Sequence, residues 1–374
     1  MPKLSKNKVI VPGSLALIFD IDLKGGEPNN FVVQNVSRAL VSKMVIRYEG
    51  TVLEELDNYD IYKIYEDLFL SQEKRETMVF DGIQSEDLCK IRSGSADKKT
   101  SGVAAEQKLN GIYGSLYRIK LDHQILTDNG AFYHHALHNQ LKFDLKLASA
   151  AQVVRGSDAT KLTYQLKNIQ LEYEIMTSPK LADEAERAYE DGKEFLYDHV
   201  QFQKIVAIDR GTQTLVNITV TPQRRSLKAI LLLFLEKYDG GARDSEKYVF
   251  PDLKKVKVAV KGIPNMIYSE GIESRNMWEE ASRYFVQEKN KTGHMTMKKF
   301  YTEDKFGLII DLRSMASHKN HGSGTRLVNS NEGVHLEIQR EASGSKEIYC
   351  YVYTISDAQF NVIGRQLQDR KSVV

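Results

Sequence analysis

The chain has 374 residues, with 52 Lys and Arg against 50 Asp and Glu, a formal net charge of +2. At roughly 150 residues per domain that length suits two domains, each able to bury a core unaided. Its 41% hydrophobic and 27% charged residues exclude wholesale disorder, and the balanced charge leaves no electrostatic footprint for non-specific nucleic-acid binding. Two cysteines, Cys89 and Cys350, are too few for a disulfide framework or a multi-thiolate zinc site; one bridge between them stays open.

The first residues, MPKLSKNKVIVPGSLALIFDIDL, have a basic head and an apolar stretch. Pro12-Gly13 interrupt that run, no small-x-small cleavage site follows, and Asp20 and Asp22 come at once, so a signal peptide is rejected. Pro at position 2 excludes myristoylation, and no apolar run approaches the 18 or so residues that cross a bilayer. The expected product is soluble and made inside a cell, which makes the sequon Asn217-Ile218-Thr219 a bystander.

Residues 15–23 alternate, with Leu15, Leu17, Phe19, Ile21 and Leu23 on one face: a half-buried strand. A Gly- and Asn-rich connection follows at 24–30. After Asp57, with Asp60 three residues on as a capping-box-like pair, Ile61, Ile64, Tyr65 and Leu68 form a helical stripe. Alternation returns at Ile169, Leu171, Tyr173 and Ile175. Ser178-Pro179 then opens a second helix, cap followed by N1 proline, running toward Tyr197. Strands follow at Val216, Ile218, Val220, and at residues 229–235, AILLLFL, whose apolar character on both faces implies burial on both sides, as where one sandwich packs on another. A third helix begins near Ser274, with Met277, Ala281, Tyr284 and Phe285 on one stripe. Leu308, Ile310, Leu312 and then Val334, Leu336, Ile338 give further strands. In EIYCYVYTI, Cys350 points with Ile348 and Val352, and the opposing Tyr349, Tyr351 and Tyr353 are either a second core layer or an interface patch. With 19 Tyr, 14 Phe and only 7 Pro, most of the chain is β.

The halves repeat. KMVIRYEG (43–50) precedes the first helix and KVKVAVKG (255–262) the third, and the helix stripes coincide after an insertion of four residues. The natural reading is two copies of one β-sandwich, residues 1–177 and 178–374, the second entered through a linking helix at about 178–198.

No P-loop, dinucleotide fingerprint, nucleophile elbow or Cys-x-x-Cys pair occurs. His134 and His138 would share a face on a helix, but the glutamate of a metalloprotease helix is missing, and a polar loop or sheet edge explains them better. His318, His321 and Arg326 lie in a Gly-rich loop that could cradle an anion but lacks a strand-to-helix context. Asp20 with Asp22, and Asp311 beside Arg313, could do acid–base work, yet the solvated face of a sandwich accounts for them. Arg224-Arg225, Lys254-Lys255 and Lys298-Lys299 have no regularly interleaved aromatics and read as solvated charge. No catalytic, cofactor-binding or metal-binding residue is therefore assigned, and no cofactor is expected.

The stretch FVVQNVSRALVSKMVIRYEGTVLEELDNYDIYKIYEDLFLSQEKRE (31–76), and the run from QRRSLKAILLLFLEKYDG through YVFPDLKKVKVAVKGIPNMIYSEGIESRNMWEEASRYF (223–285) to FGLIIDLRS and HGSGT, resemble the hexon-like major capsid proteins of Polinton/Maverick elements and adintoviruses, of the adenovirus hexon lineage. The likeness runs from about residue 9 to 356 and rests on the order and spacing of blocks. It implies an all-β double jelly roll, two eight-stranded sandwiches side by side with a few short helices in loops. It further implies a homotrimeric capsomer of hexagonal outline that meets neighbouring capsomers and a penton protein in an icosahedral shell. That shell, in the virion, encloses double-stranded DNA without sequence-specific binding; the protein takes no small-molecule substrate and is not an enzyme. The modest length implies a plain outer face without long towers. The alternatives are a jelly-roll carbohydrate- or receptor-binding protein, for which the lone Trp278 is poor material, and a β-sandwich glycoside hydrolase, which needs two convergent carboxylates.

Overall fold

The computed structural model describes residues 1, 4–24, 28–95, 104–130, 132–156, 161–222, 226–237, 243–260, 263–264, 268, 270–285, 293–313, 324–327, 333–344, 346–363 and 366–368. Arg224, Arg225, Gly262, His318, His321 and most of the two glycine-rich connections lie outside these residues. The strands are β1 (Lys8–Ile10), β2 (Ala16–Lys24), β3 (Phe31–Val32), β4 (Val41–Tyr48), β5 (Thr51–Asp57), β6 (Leu116–Lys120), β7 (Lys142–Leu147), β8 (Val154–Arg155), β9 (Thr163–Glu172) and β10 (Ile175–Thr177) in the first half. The second half has β11 (Lys193–Ile208), β12 (Leu215–Val220), β13 (Ser226–Glu236), β14 (Leu253–Val260), β15 (Ile263–Pro264), β16 (Ile272–Glu273), β17 (Gly307–Asp311), β18 (Thr325–Arg326), β19 (Val334–Arg340), β20 (Ile348–Ile363) and β21 (Gln366–Gln368).

In the second half one sheet runs β11-β20-β13-β17 and the other β12-β19-β14-β15. Counting its eight principal strands in chain order, the sheets read first-eighth-third-sixth and second-seventh-fourth-fifth, the wrap of a jelly roll. The first half repeats this pairing in two three-stranded sheets. There β2 lies between β6 and β9 as β13 lies between β17 and β20, and β4 lies between β5 and β7 as β14 lies between β15 and β19. The repeated sequence blocks fall on β4 and β14, so the repeat in sequence is a repeat in topology. Among the described residues no sheet draws strands from both halves, and a single bridge, Ser71 to Gly293, crosses.

Burial follows the predicted alternation in β12 and β19, where Val216, Ile218, Val220 and Val334, Leu336, Ile338 are buried. β13 is buried on both faces along its whole apolar run. In β17, Ile309 is buried as well as Leu308 and Ile310. β2 buries Phe19 and Ile21, with Leu15 buried just ahead of it, while Leu17 and Leu23 are half-buried. β9 is different. Asn168, in the left-handed region at φ 51°, bulges against β2, and Ile169 and Leu171 stay exposed, as does Ile175 on β10, which pairs with β1. Alternation predicts which face of a strand is apolar; it does not supply an opposing layer.

Among the described residues there are ten α-helices, the three predicted and seven more: α1 (Val36–Ala39), α2 (Tyr59–Asp67), α3 (Gln72–Glu76), α4 (Glu86–Arg92), α5 (Ala104–Tyr113), α6 (Gln124–Thr127), α7 (Ala150–Val153), α8 (Pro179–Asp191), α9 (Met277–Phe285) and α10 (Met297–Thr302). Of the seven additional ones six have seven residues or fewer, too short to show a periodic stripe, and the ten-residue α5 buries no residue. α2 buries the predicted Ile61, Ile64 and Tyr65, with Leu68 buried just beyond its end. Its start differs from the expected capping box: Asn58 enters at φ 51° with no side-chain cap, and Asp60 turns inward instead. α8 begins as predicted, the Ser178 side chain accepting from the Leu181 N–H ahead of Pro179. It ends at Asp191, not near 198: Gly192, at φ 112°, stops it, and Phe195 and Tyr197 already lie on β11.

Candidate assembly interface

The residues weighed for chemistry do not converge. His134 is buried in a 3-10 turn while His138 is exposed, and no group of three or more His, Cys, Asp or Glu among the described residues could hold a metal ion. Asp20 accepts from Ser115 and from Asn168, and Asp22 pairs with Lys167 at 2.5 Å. Asp311 is held by Arg313, whose guanidinium also lies 4.5 Å from the centre of the Tyr284 ring. Lys254 pairs with Glu341, and Lys299 donates to the carbonyl of His294. Trp278 is half-buried against Phe300. Cys89 and Cys350 are both buried and free, so the bridge left open does not form; burial pushes the Cys89 thiol up to about 12.

What the fold builds instead is a seam between the halves, and α2 is its centre. The Tyr65 hydroxyl donates to the carbonyl of Gly307 at 3.3 Å. Gly307 is glycine by necessity, because a Cβ there would lie 2.5 Å from the Tyr65 ring and 2.7 Å from Leu233. Tyr65 meets Tyr248 and Phe285 edge-on, Phe69 stacks on Phe285 at 4.6 Å, and Tyr62 lies 5.6 Å from Tyr353. Each such ring pair adds ~0.5–1.5 kcal/mol to the area it buries. The two open readings of the tyrosine row thus divide: Tyr353 is fully buried in the seam, donating to the carbonyl of Asn58, whereas Tyr349 and Tyr351 are half-buried. Cys350 faces the sandwich core with Ile348 and Val352, as predicted.

Polar groups give the seam its register. Tyr248 donates to the Ile61 carbonyl and Tyr197 to that of Leu53, each at 2.8 Å. The Val200 N–H donates to Glu54, setting β11 beside β5. Residues 243–248 act as a clamp: Arg243 pairs with buried Asp60, Arg155 with Asp244, and Arg75 with Glu246 at 2.8 Å. Burial pushes the Glu246 carboxyl up, but Arg75 and Lys305 more than reverse this and hold it below its ordinary value. Sequence reasoning missed every one of these pairs, since partners such as Asp60 and Arg243 have no local signal. The buried apolar side chains of the two halves are consequently one continuous cluster through the seam.

A further charged cluster braces the first half. Arg38 reaches Asp122 at 2.5 Å and Asp67 at 3.2 Å. Burial works against the Asp122 charge, and Arg38 and Lys63 overcome it, holding that carboxyl well below the usual range. Next to it, burial and then Lys63 push His123 down to about 3. Its Nδ1 accepts from the Ile125 N–H, capping α6. A histidine depressed in the fold is stabilising above its unfolded pKa, and that stability is lost as pH falls from about 6.5 toward the folded value, because the unfolded chain takes the proton first. His294, lowered to about 4 by burial and by Arg75, acts in the same window. The half-buried ring of His123 is partly screened, so its share is on the order of 1–2 kcal/mol. His123→Asn keeps a cap acceptor and removes the titration. Its thermal midpoint should match wild type at pH 7.5 and fall less than wild type between pH 7 and 4.5; equal falls would show that His123 is not a source of acid sensitivity.

Together the repeated strand order, the second half's complete jelly-roll wrap and the apolar seam define a double jelly roll. No family model matches the chain and no curated protein does. Solved structures do. The chain is similar to VP54 of PBCV-1, as fitted into a cryo-EM reconstruction of the virophage Sputnik, with a TM-score of 0.62 at 11% identity over 100% of this chain and 92% of that one. It is similar to the mavirus major capsid protein, TM-score 0.54 at 8% identity over 98% and 85%. A chain of the Sputnik virophage gives 0.56 at 9% identity over 100% and 87%. At these identities the likeness establishes the fold.

Proposed function

We propose that the chain is a major capsid protein of the Polinton/Maverick and adintovirus kind, a structural protein and not an enzyme. In this reading residues 1–177 and 178–374 are two jelly rolls, and three copies form a capsomer of hexagonal outline. Capsomers meet neighbouring capsomers and a penton protein in an icosahedral shell around double-stranded DNA, which they enclose without reading its sequence. The observation that carries the reading is end-to-end similarity to capsid proteins: the match to the mavirus major capsid protein takes in both halves and their arrangement. The seam supports it, because a rigid pair of sandwiches is the unit such a capsomer repeats. Trimer contacts of an obligate kind bury upwards of about 2,000 Å² each, and weaker contacts between trimers gain strength from their number.

Light scattering on the purified chain tests this. A stable mass of three chains, with hexagonal particles or shells in electron micrographs, is expected. A monomer that binds glycans would favour the carbohydrate- or receptor-binding alternative, against which stands the half-buried Trp278, unavailable as a sugar platform.

A further inference from the structure

Lys228 is the one buried lysine among the described residues, 2% exposed on the otherwise apolar β13. It is the extra residue of a β-bulge: Leu227 pairs with Ser356 and Ala229 with Ile355, and Lys228 falls between them. A bulge re-aims a side chain, and this one carries the ammonium to two carboxylates on the neighbouring strands. Nζ lies 2.6 Å from Asp198 Oδ1 on β11 and 3.4 Å from Asp357 Oδ1 on β20. Asp198 and Asp357 are register partners, so the three groups sit side by side across β11, β20 and β13. The lysine end is fixed from behind, where the Leu312 N–H donates to its carbonyl at 2.8 Å and Leu227 and Ala229 are fully buried.

The geometry points to a self-formed amide bond between Lys228 Nζ and Asp198 Cγ, with Asp357 carrying the proton. The two carboxylates are held differently. Asp357 Oδ2 accepts from the Ser226 hydroxyl and from the Gly324 N–H, contacts that keep it a carboxylate. Asp198 is the nearer to Nζ and is oriented by Gln124, whose Oε1 accepts from the Asp198 N–H at 2.5 Å. The reaction begins with transfer of one Nζ proton to Asp198, which exchanges two charges for two neutral groups. The Nζ lone pair then attacks Asp198 Cγ and a C–N bond forms, Asp357 taking a second proton from Nζ. Asp357 returns that proton to the departing Asp198 hydroxyl, the C–O bond breaks, and water leaves. An ammonium and a carboxylate thus become one amide and one water, Asp357 ends as it began, and no oxidant, cofactor or activated donor is consumed. The event occurs once per chain. It replaces a buried ion pair, whose desolvation is costly, by a neutral amide, and a covalent link between residues 198 and 228 restricts the unfolded chain. The edge strand β11 is thereby tied to β13 across β20, whether or not the chain assembles into trimers.

Mass spectrometry of the denatured, full-length chain is the test. Wild type should be lighter than its sequence by about 18 Da, one water, and a tryptic digest should contain a branched peptide joining Lys228 to Asp198, uncut after Lys228. Lys228→Met and Asp357→Asn should each have the full mass of their own sequences. The wild-type measurement does not depend on either variant folding. A wild type of full mass, with trypsin cutting after Lys228, overturns the inference and leaves an ordinary buried ion pair. A deficit that persists in Lys228→Met overturns it as well, since the water was then lost elsewhere; a branch at Asp357, or a deficit that persists in Asp357→Asn, overturns the roles given to the two carboxylates.

Discussion

Leu232→Asp should yield no folded, soluble protein. Leu232 lies at the middle of β13, fully buried, opposite Val352 of β20 on one side and Leu308 of β17 on the other. Strand pairing places it on the face shared with Val352 and Cys350, inside the sandwich, while Leu231 and Leu233, opposite Tyr353 and Tyr351, face the seam. No cation among its strand partners can pair with a carboxylate there. An unpaired buried charge costs several kcal/mol after relaxation, against a total stability of about 5–15 kcal/mol for an ordinary domain. Neutralising the group by protonation only exchanges that cost for an unsatisfied polar group and a mispacked core. Leu232→Ala, which leaves a cavity, should cost about 2–5 kcal/mol and still fold. Soluble yield, gel filtration and circular dichroism of the two variants together make the measurement; a soluble trimer of the aspartate variant would mean that β13 is not the doubly covered strand described here.

The reach of sequence reasoning follows from what each signal encodes. The all-apolar run at 229–235 encodes burial on two sides, and β13 has it. The i, i+3, i+4 stripes at Ile61–Leu68 and Met277–Phe285 encode one buried helix face, and both helices are present. For α2 the stripe understates burial, because its second face is covered by a sheet whose first strand begins only at Lys193, far along the chain, which no local pattern announces. α4 carried a signal that could have found it: the Ser85 side chain accepts from Leu88, with Glu86 and Asp87 in the first turn. α5 carried none, since it buries no residue. The overlong reading of α8 came from following helix-forming residues past Gly192, the one residue whose left-handed φ ends the helix. The exposed row at Ile169, Leu171 and Ile175 shows the remaining limit. An amphipathic strand looks the same in sequence whether its apolar face meets the chain's own core or the surface of another molecule.

Asp60→Ala should loosen the joint between the halves. Asp60 is 2% exposed and Arg243 7%, and the two are paired within the seam. Burial already pushes the Arg243 guanidinium below its ordinary pKa, and its surroundings include the Tyr248, Tyr351 and Tyr353 rings, which cannot take the place of a carboxylate. Arginine does not give up its proton in compensation, so removing Asp60 leaves a full charge in the joint. The expected loss is about 3–5 kcal/mol. It falls on the seam rather than on either sandwich core, so chemical denaturation should change from one transition toward two as the halves lose their coupling. Replacing both partners by apolar residues, Asp60→Leu with Arg243→Met, should restore most of the loss, because a buried pair contributes little beyond the penalty for breaking it. A double-mutant cycle over the four chains measures the coupling directly. If Asp60→Leu and Arg243→Met proved additive, the pair would not be what holds the clamp at residues 243–248 against α2, and the aromatic contacts of Tyr65, Tyr248 and Phe285 would have to hold the seam alone.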